Sequence, residues 1–117
     1  MATGDARLSA NARRRIGMAE GLTFSVVSFW EIALKLSRGG FDFALPASWD
    51  QELLAELRRI DAKHLGIMPE HCRRLQDLPW HHKDPFDRML IAQAQVERLA
   101  ILTSDKSFRD YDVRVVW

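Results

Sequence analysis

The stretch LPWHHKDPFDRMLIAQAQ, from Leu78 to Gln95, determines how the rest of the chain is arranged. Asp84 followed by Pro85 predicts that a helix begins there, because aspartate is a preferred N-cap and proline is preferred at the first helical position. Asp87 then falls at the third helical position, where an acid completes a capping box. Apolar residues recur after it at helical spacing, so the sequence predicts a helix with one apolar face and a carboxylate at its start.

The segment LAILTSDKSF, from Leu99 to Phe108, follows that helix. Its apolar run ends abruptly near Asp105, which is typical of a buried parallel strand with an acid at its carboxyl end. Ligands of open α/β sheets bind at these strand ends, so we expect Asp87 and Asp105 to face one crevice. Purely structural roles remain open as well: Asp84 as a helix cap, Asp87 as a charge that complements the helix dipole, and Asp105 as the cap of a short helix KSFRDY.

Strand and helix patterns alternate along the rest of the chain. This alternation predicts an α/β fold in which a parallel sheet is covered by helices on both faces. The length of 117 residues suits one domain, 1–117, and leaves no room for two. The further predicted elements are a helix from Ser9 to Ala19, a strand from Leu22 to Val27, a helix that begins with a Ser28–Glu31 capping box and ends at Gly39-Gly40, a helix capped by Ser48, a weak strand at His64–Met68, a helix from Pro69 to Leu75, and a closing edge strand VRVVW.

The composition is that of an ordinary globular protein, with 47% hydrophobic and 28% charged residues. A net charge of +1 gives no global positive field that would indicate nucleic acid. Cys72 is the single cysteine, which excludes an intrachain disulfide and a thiolate metal cage and favours a reducing, cytosolic location. The N-terminus lacks the apolar core of a secretory signal, and no apolar run approaches the length of a membrane span, so we expect a soluble intracellular protein.

Glu31 joins the two aspartates as a candidate site residue. It lies at the start of a helix just after a strand, although a capping-box role would also explain it. Acids placed about 5 Å apart at one sheet edge repel each other by about 3 kcal/mol per pair at an effective dielectric of about 20. A fold tolerates such repulsion when a cation neutralises the cluster or one group keeps its proton. A site made only of carboxylates favours Mg²⁺ or Mn²⁺. His81 and His82 lack a third ligand at the spacing that zinc requires, so we expect them at the surface or beside the substrate.

The segments SFWEIALKLSRG, LPWHHKDPFDRMLIAQAQ and LTSDKSF, with the closing VRVVW, closely resemble those of PIN-domain ribonucleases of the VapC toxin type. The resemblance runs from about Ala6 to Trp117 and implies a small α/β sandwich whose clustered acids bind Mg²⁺ or Mn²⁺ and cleave RNA. It implies that Glu31, Asp87 and Asp105 are the catalytic and metal-binding acids, with Asp84 as a supporting acid. It also implies an antitoxin partner and a homodimer.

One departure from the family pattern concerns the N-terminus. The pattern begins with an apolar strand that carries an aspartate, of the kind LLDTHVLLW, whereas this sequence starts at the later segment GDARLS. The resemblance therefore implies an N-terminally truncated PIN-like domain without the first catalytic aspartate, which Asp5 does not replace. The absent strand is central in the family, so we expect a gap between the strands near Val26 and Leu102, closed by their direct pairing, by self-association or by a strand from another chain. Two functions remain open: an endoribonuclease toxin, or a catalytically impaired remnant that binds an antitoxin or RNA.

Overall fold

The computed structural model describes residues 21–41 and 44–117. The predicted helix from Ser9 to Ala19 and the residue Asp5 lie outside these described residues. The elements, in chain order, are β1 (Thr23–Ser25), α1 (Val26–Ser37), α2 (Trp49–Arg59), β2 (Lys63–Leu65), α3 (Pro69–Gln76), α4 (Pro85–Glu97), β3 (Ile101–Leu102), the 3-10 helix η1 (Lys106–Asp110) and β4 (Val115–Val116). Their order agrees with the predicted alternation, and the prediction of an α/β fold with parallel strands is confirmed.

The strands form two separate parallel pairs. β1 pairs with β2, with Thr23 opposite Lys63, and β3 pairs with β4, with Ile101 opposite Val115. Within the described ranges no ladder joins β1 to β3. Direct pairing of those two strands, one of the three expected ways to close a gap between them, is therefore not observed there.

The start of α1 differs from the prediction. The helix begins at Val26, and Ser25 is its N-cap, with its side-chain oxygen accepting a hydrogen bond from the Val27 N–H at 3.1 Å. The prediction that Ser28 begins the helix in a capping box with Glu31 was wrong, because the three-residue strand stops at Ser25 and this earlier serine accepts a hydrogen bond from one of the free N–H groups, that of Val27. Ser28 is instead fully buried inside the helix, and Glu31 lies in its second turn.

Helix α4 occupies the centre of the hydrophobic core. It packs against α3 and α1, and its residues Leu90, Ile91, Ala92 and Ala94 are buried. These residues meet Val27 of α1, Ile101 of β3, and Phe108 and Tyr111 near the C-terminus. None of the helices in the described ranges is long and apolar enough to cross a membrane.

A buried polar link holds α1 and α4 together. The Ser25 hydroxyl, at the cap of α1, donates a hydrogen bond to the Gln93 Oε1 of α4. Gln93 Nε2 in turn donates to the Gly66 carbonyl oxygen at 3.2 Å, just after β2. One side chain of α4 therefore ties together the β1–α1 junction and the end of β2.

Candidate metal centre

Three carboxylates meet where α1 passes the N-terminal end of α4. Glu31, Asp84 and Asp87 each offer an oxygen, and these oxygens all lie within 4.8 Å of one another. Glu31 comes from the second turn of α1, whereas Asp84 and Asp87 come from the cap and first turn of α4. Two helices far apart in sequence therefore supply one acidic cluster, and their packing sets its geometry.

Asp84 has two roles that the sequence suggested as alternatives. Its Oδ1 accepts hydrogen bonds from the backbone N–H groups of Phe86 at 2.9 Å and Asp87 at 3.1 Å, so it is the N-cap of α4. The same carboxylate belongs to the acidic cluster. The cap hydrogen bonds fix its position, because both donors belong to the first turn of the helix.

Asp87 is the most perturbed acid of the cluster. Partial burial raises its pKa to about 7, and the negative charges of Asp84, Glu31 and Asp105 act in the same direction, whereas Lys35 opposes them. An aspartate side chain ordinarily has a pKa near 4. At neutral pH Asp87 is therefore divided between its protonated and ionised forms, which is the behaviour of a carboxylate placed among like charges without a sufficient counter-ion.

Glu31 is in a milder version of the same environment. Burial raises its pKa, Asp84 raises it further, and Lys35 lowers it. The Lys35 Nζ lies 3.9 Å from the Glu31 Oε2, one helical turn along α1, but half of the lysine side chain is exposed. A partly exposed pair of this kind contributes little, so Lys35 only partly neutralises the cluster.

Asp105 lies apart from the three close carboxylates. Among the described residues it does not belong to the group whose oxygens are within 4.8 Å of one another, although its charge reaches Asp87. Its Oδ1 accepts hydrogen bonds from the Ser107 N–H at 2.9 Å and the Ser107 hydroxyl at 2.7 Å, so Asp105 caps η1, which is one of the roles that the sequence left open. These hydrogen bonds lower the pKa of Asp105, and the nearby His82 lowers it further, so this acid stays ionised at neutral pH.

The cluster suits a hard divalent cation. Oxygen ligands of one Mg²⁺, each about 2.1 Å from the ion, lie about 3.0–4.2 Å apart, and small rotations of these side chains bring a spread of up to 4.8 Å into that range. The donors are all carboxylates, which favours Mg²⁺ or Mn²⁺ over zinc. The raised pKa of Asp87 agrees with a position from which a cation would displace a proton.

The predicted histidines lie beside the site and outside the group of close carboxylates. His81 is exposed, whereas His82 is half-buried with its ring against those of Phe108 and Tyr111. The His82 Nε2 is buried and has no hydrogen-bond partner among the described residues. Neither histidine belongs to the group of close potential ligands in the described ranges.

Arg88 and Tyr111 support the site, although no sequence motif indicated their role. The buried Arg88 guanidinium donates hydrogen bonds to the Pro79 carbonyl oxygen at 2.7 Å and the Tyr111 hydroxyl at 3.1 Å. That hydroxyl also accepts hydrogen bonds from the backbone N–H groups of His81 at 3.1 Å and His82 at 3.2 Å. The loop that leads into Asp84 is thereby fixed from both sides. Only the tertiary structure brings these groups together, so no local sequence pattern could indicate them.

Two comparisons relate this chain to known proteins. A model of the family described as PIN domain matches residues 2–114, a range that includes all four acids discussed above. The chain is also 29% identical over 107 residues to Ribonuclease VapC22 of Mycobacterium tuberculosis (strain ATCC 25618 / H37Rv). That alignment covers 90% of this chain and 78% of the relative.

Proposed function

This chain belongs to the PIN-domain family, as its motifs predicted, and from that premise we propose that it is a metal-dependent endoribonuclease and the toxin of a toxin–antitoxin pair. The observation that carries the proposal is the convergence of Glu31, Asp84 and Asp87 within 4.8 Å. A solvated helix surface does not require three acids to approach so closely. Their mutual repulsion has a clear use if they hold a divalent cation against RNA.

Each acid has a distinct part in this proposal. Glu31 and Asp87 would hold a divalent cation from two different helices, and Asp84 would support it from a position fixed by the cap of α4. Asp87 would lose its proton to bind the cation, because its pKa of about 7 leaves the free site partly protonated. When bound, the divalent cation stabilises the charge that develops on the phosphate and activates the attacking water.

Asp105 is proposed as the fourth acid of the site. Its hydrogen bonds with Ser107 hold it in the ionised form, and its charge acts on Asp87 across the site. As an ionised carboxylate, Asp105 would add a negative charge to the site in which the three closer acids would hold a divalent cation. We therefore propose Glu31, Asp87 and Asp105 as catalytic and metal-binding residues, with Asp84 as the supporting acid.

The similarity to Ribonuclease VapC22 also supports proposals about partners and location. We propose that a cognate antitoxin binds the chain, that the chain forms a homodimer and that it acts in the cytoplasm on RNA. Light scattering of the purified chain tests the dimer directly, because a monomer at working concentration would contradict it.

The test is cleavage of a labelled single-stranded RNA by the purified chain. We expect cleavage that requires Mg²⁺ or Mn²⁺ and stops with EDTA. Asp87→Asn and Glu31→Gln should each reduce the cleavage rate by at least about tenfold to a hundredfold. Removal of a hydrogen-bond partner of a metal ligand usually has an effect of that size, and loss of a ligand should cost no less. Glu52→Gln is the matched control, because Glu52 is an exposed acid on α2 outside the cluster.

The same experiment separates the two functions left open by the sequence. RNA binding by the wild-type chain without cleavage in either metal would overturn the nuclease proposal and support a binding module. Cleavage that persists in Asp87→Asn and Glu31→Gln would place the active site elsewhere in the chain.

A further inference from the structure

Trp30 is a large apolar side chain that the fold leaves exposed beside the acidic cluster. It immediately precedes Glu31 on α1, and its side chain and backbone together are 56% exposed. Exposed apolar residues are common on protein surfaces, but an exposed indole next to a candidate catalytic site deserves a specific explanation.

The position of the ring is fixed by a residue of the other helix. The Trp30 ring meets the Phe86 ring edge to face, with the ring centroids 4.8 Å apart. Phe86 itself stands between the two aspartates of α4, and its backbone N–H donates to the Asp84 carboxylate. The same α1–α4 contact therefore places the acids and, beside them, an aromatic surface open to solvent.

We propose that Trp30 stacks against an unpaired base of single-stranded RNA next to the phosphate held at the acidic cluster. This inference rests on the proposed function and adds to it a residue, Trp30, that positions the substrate through one of its bases. Aromatic side chains in single-strand binding sites accept any base, since every base offers a π-face. Because Trp30 directly precedes Glu31 on α1, the base that it contacts should belong to a nucleotide next to the phosphate at the acidic cluster.

Trp80 shows why Trp30 is the better candidate. Trp80 is more exposed, at 74%, but the Arg88 guanidinium lies over its ring at 3.8 Å from the centroid. That contact already supplies Trp80 with a stacking partner from within the chain. Trp30 has an edge contact from Phe86, and more than half of its surface remains exposed.

The test compares Trp30→Leu with Trp30→Phe on single-stranded RNA substrates that carry one abasic nucleotide at successive positions around the cleavage point. Leucine keeps an apolar side chain but removes the π-face, whereas phenylalanine restores it. We expect Trp30→Leu to raise KM by roughly 5-fold to 150-fold with little change in kcat, and Trp30→Phe to recover most of the loss. Ile60→Ala, which trims an exposed apolar side chain after α2, is the control and should leave KM unchanged.

The substrates with one abasic nucleotide show whether Trp30 and one particular base act together. In the wild type, one abasic position should cause the same loss as Trp30→Leu, and in Trp30→Leu that position should cause no further loss. Losses that add independently at every position would overturn the stacking proposal. So would a KM unchanged by Trp30→Leu together with dissociation of an oligomer in light scattering, because the indole would then be a protein contact.

Binding measurements with Ca²⁺ in place of Mg²⁺ separate this proposal from the proposed function. If the wild type cleaves no RNA but its binding shows the same dependence on Trp30 and one base, the stacking proposal stands and the nuclease proposal falls. If cleavage is robust and the abasic series is flat, the nuclease proposal stands and the stacking proposal falls.

Discussion

Asp87 and Arg88 are adjacent in sequence, carry opposite charges and have opposite surroundings. Arg88 is only 4% exposed, and its buried charge is well compensated. Its guanidinium contacts the Pro79 carbonyl oxygen, the Tyr111 hydroxyl and the Trp80 ring. Asp87 is less buried, but its charged neighbours are mostly acids, and its pKa rises to about 7. Arg88 is thus the more deeply buried charge and the better compensated one.

The difference distinguishes a charge that serves the fold from one that serves a ligand. A buried charge that stabilises a fold has its partners within the chain, because burial without partners is costly. A partly buried charge whose neighbours repel it lowers the stability of the free protein and gains its partner from outside. The surroundings of Asp87 fit the second description. We therefore expect Arg88 to stabilise the fold and Asp87 to bind a cation.

Replacement of Arg88 by methionine should produce the largest effect. The variant keeps most of the side-chain volume but removes the hydrogen bonds that the guanidinium donates to the carbonyl oxygens of Leu78 and Pro79 and to the Tyr111 hydroxyl. We expect a loss of about 2–4 kcal/mol in the free energy of unfolding, measured by urea denaturation. Arg109→Met is the control, because Arg109 is exposed, and it should change stability by less than about 0.5 kcal/mol. Equal effects of the two variants would remove the distinction drawn for Arg88.

Metal addition should stabilise the wild type, and Asp87→Asn should abolish this response. A free Mg²⁺ or Mn²⁺ concentration one hundredfold above the dissociation constant adds about 2.7 kcal/mol to the free energy of unfolding. In EDTA, by contrast, Asp87→Asn should be at least as stable as the wild type, because it removes a repelled charge. Thermal denaturation with and without metal measures both the stabilisation by the cation and the stability of the variant in EDTA. A variant that is clearly less stable in EDTA would show that Asp87 serves the fold.

Tyr111→Phe should have an intermediate effect. It removes the hydroxyl that accepts hydrogen bonds from Arg88 and from the backbone of His81 and His82 but keeps the buried ring. We expect a loss of about 1–2 kcal/mol, smaller than that of Arg88→Met, since Arg88 retains its carbonyl partners. The double variant tests whether the two residues form one network: if their losses simply add, they do not.

The stability of the metal-free protein should fall as pH rises from about 4.5 to about 7. In that window Asp87 keeps its proton in the folded state, where its pKa is about 7, while the unfolded chain has already lost it. The folded state thus binds more protons, so the stability that Asp87 contributes at low pH is lost as pH rises through about 7. Solvent screening of a half-exposed group keeps the slope well below the limit of about 1.4 kcal/mol per pH unit. Urea denaturation in EDTA should show a smaller slope for Asp87→Asn, and identical slopes would contradict the prediction.

Lys35→Met should have the smallest effect on stability and act mainly on titration. The partly exposed pair with Glu31 contributes at most about 0.5 kcal/mol. Lys35 nevertheless lowers the pKa of both Glu31 and Asp87, so its removal should move the pH midpoint of metal binding upward. Calorimetric titration with Mn²⁺ between pH 6 and 8 measures this shift, with Lys63→Met as the control, because Lys63 is an exposed lysine on β2.

The sequence predicted elements whose signals are local and missed those that depend on tertiary contacts. Asp84 and Pro85 begin α4 as expected, and Asp105 caps η1, because both caps are formed by residues two or three positions apart. The beginning of α1 was misplaced because Ser25 and Ser28 are both suitable caps, and the end of β1 decides between them.

The candidate site shows the same division. The sequence named all four acids, but it could not show that Asp84 would join Glu31 and Asp87 more closely than Asp105 does. That distinction depends on how α1 packs against α4, which no spacing within one segment encodes. The buried polar residues Arg88 and Gln93 were missed for the same reason, since Tyr111, which contacts Arg88, and Ser25 and Gly66, which contact Gln93, lie in other segments of the chain.

The two strand pairs differ in how far apart their partners lie along the chain, and this has a consequence for folding kinetics. Thr23 pairs with Lys63, a separation of 40 residues, whereas Ile101 pairs with Val115, a separation of 14. Closing the longer loop costs about 0.9 kcal/mol more chain entropy, so the C-terminal pair should form first on average. Asp84, Asp87 and Asp105 lie close in sequence to this C-terminal pair, whereas Glu31 lies in the helix that follows β1 of the other pair. If Glu31 joins the other acids only after the folding transition state, added Mg²⁺ should slow unfolding more than it speeds folding, which stopped-flow kinetics with and without metal would measure.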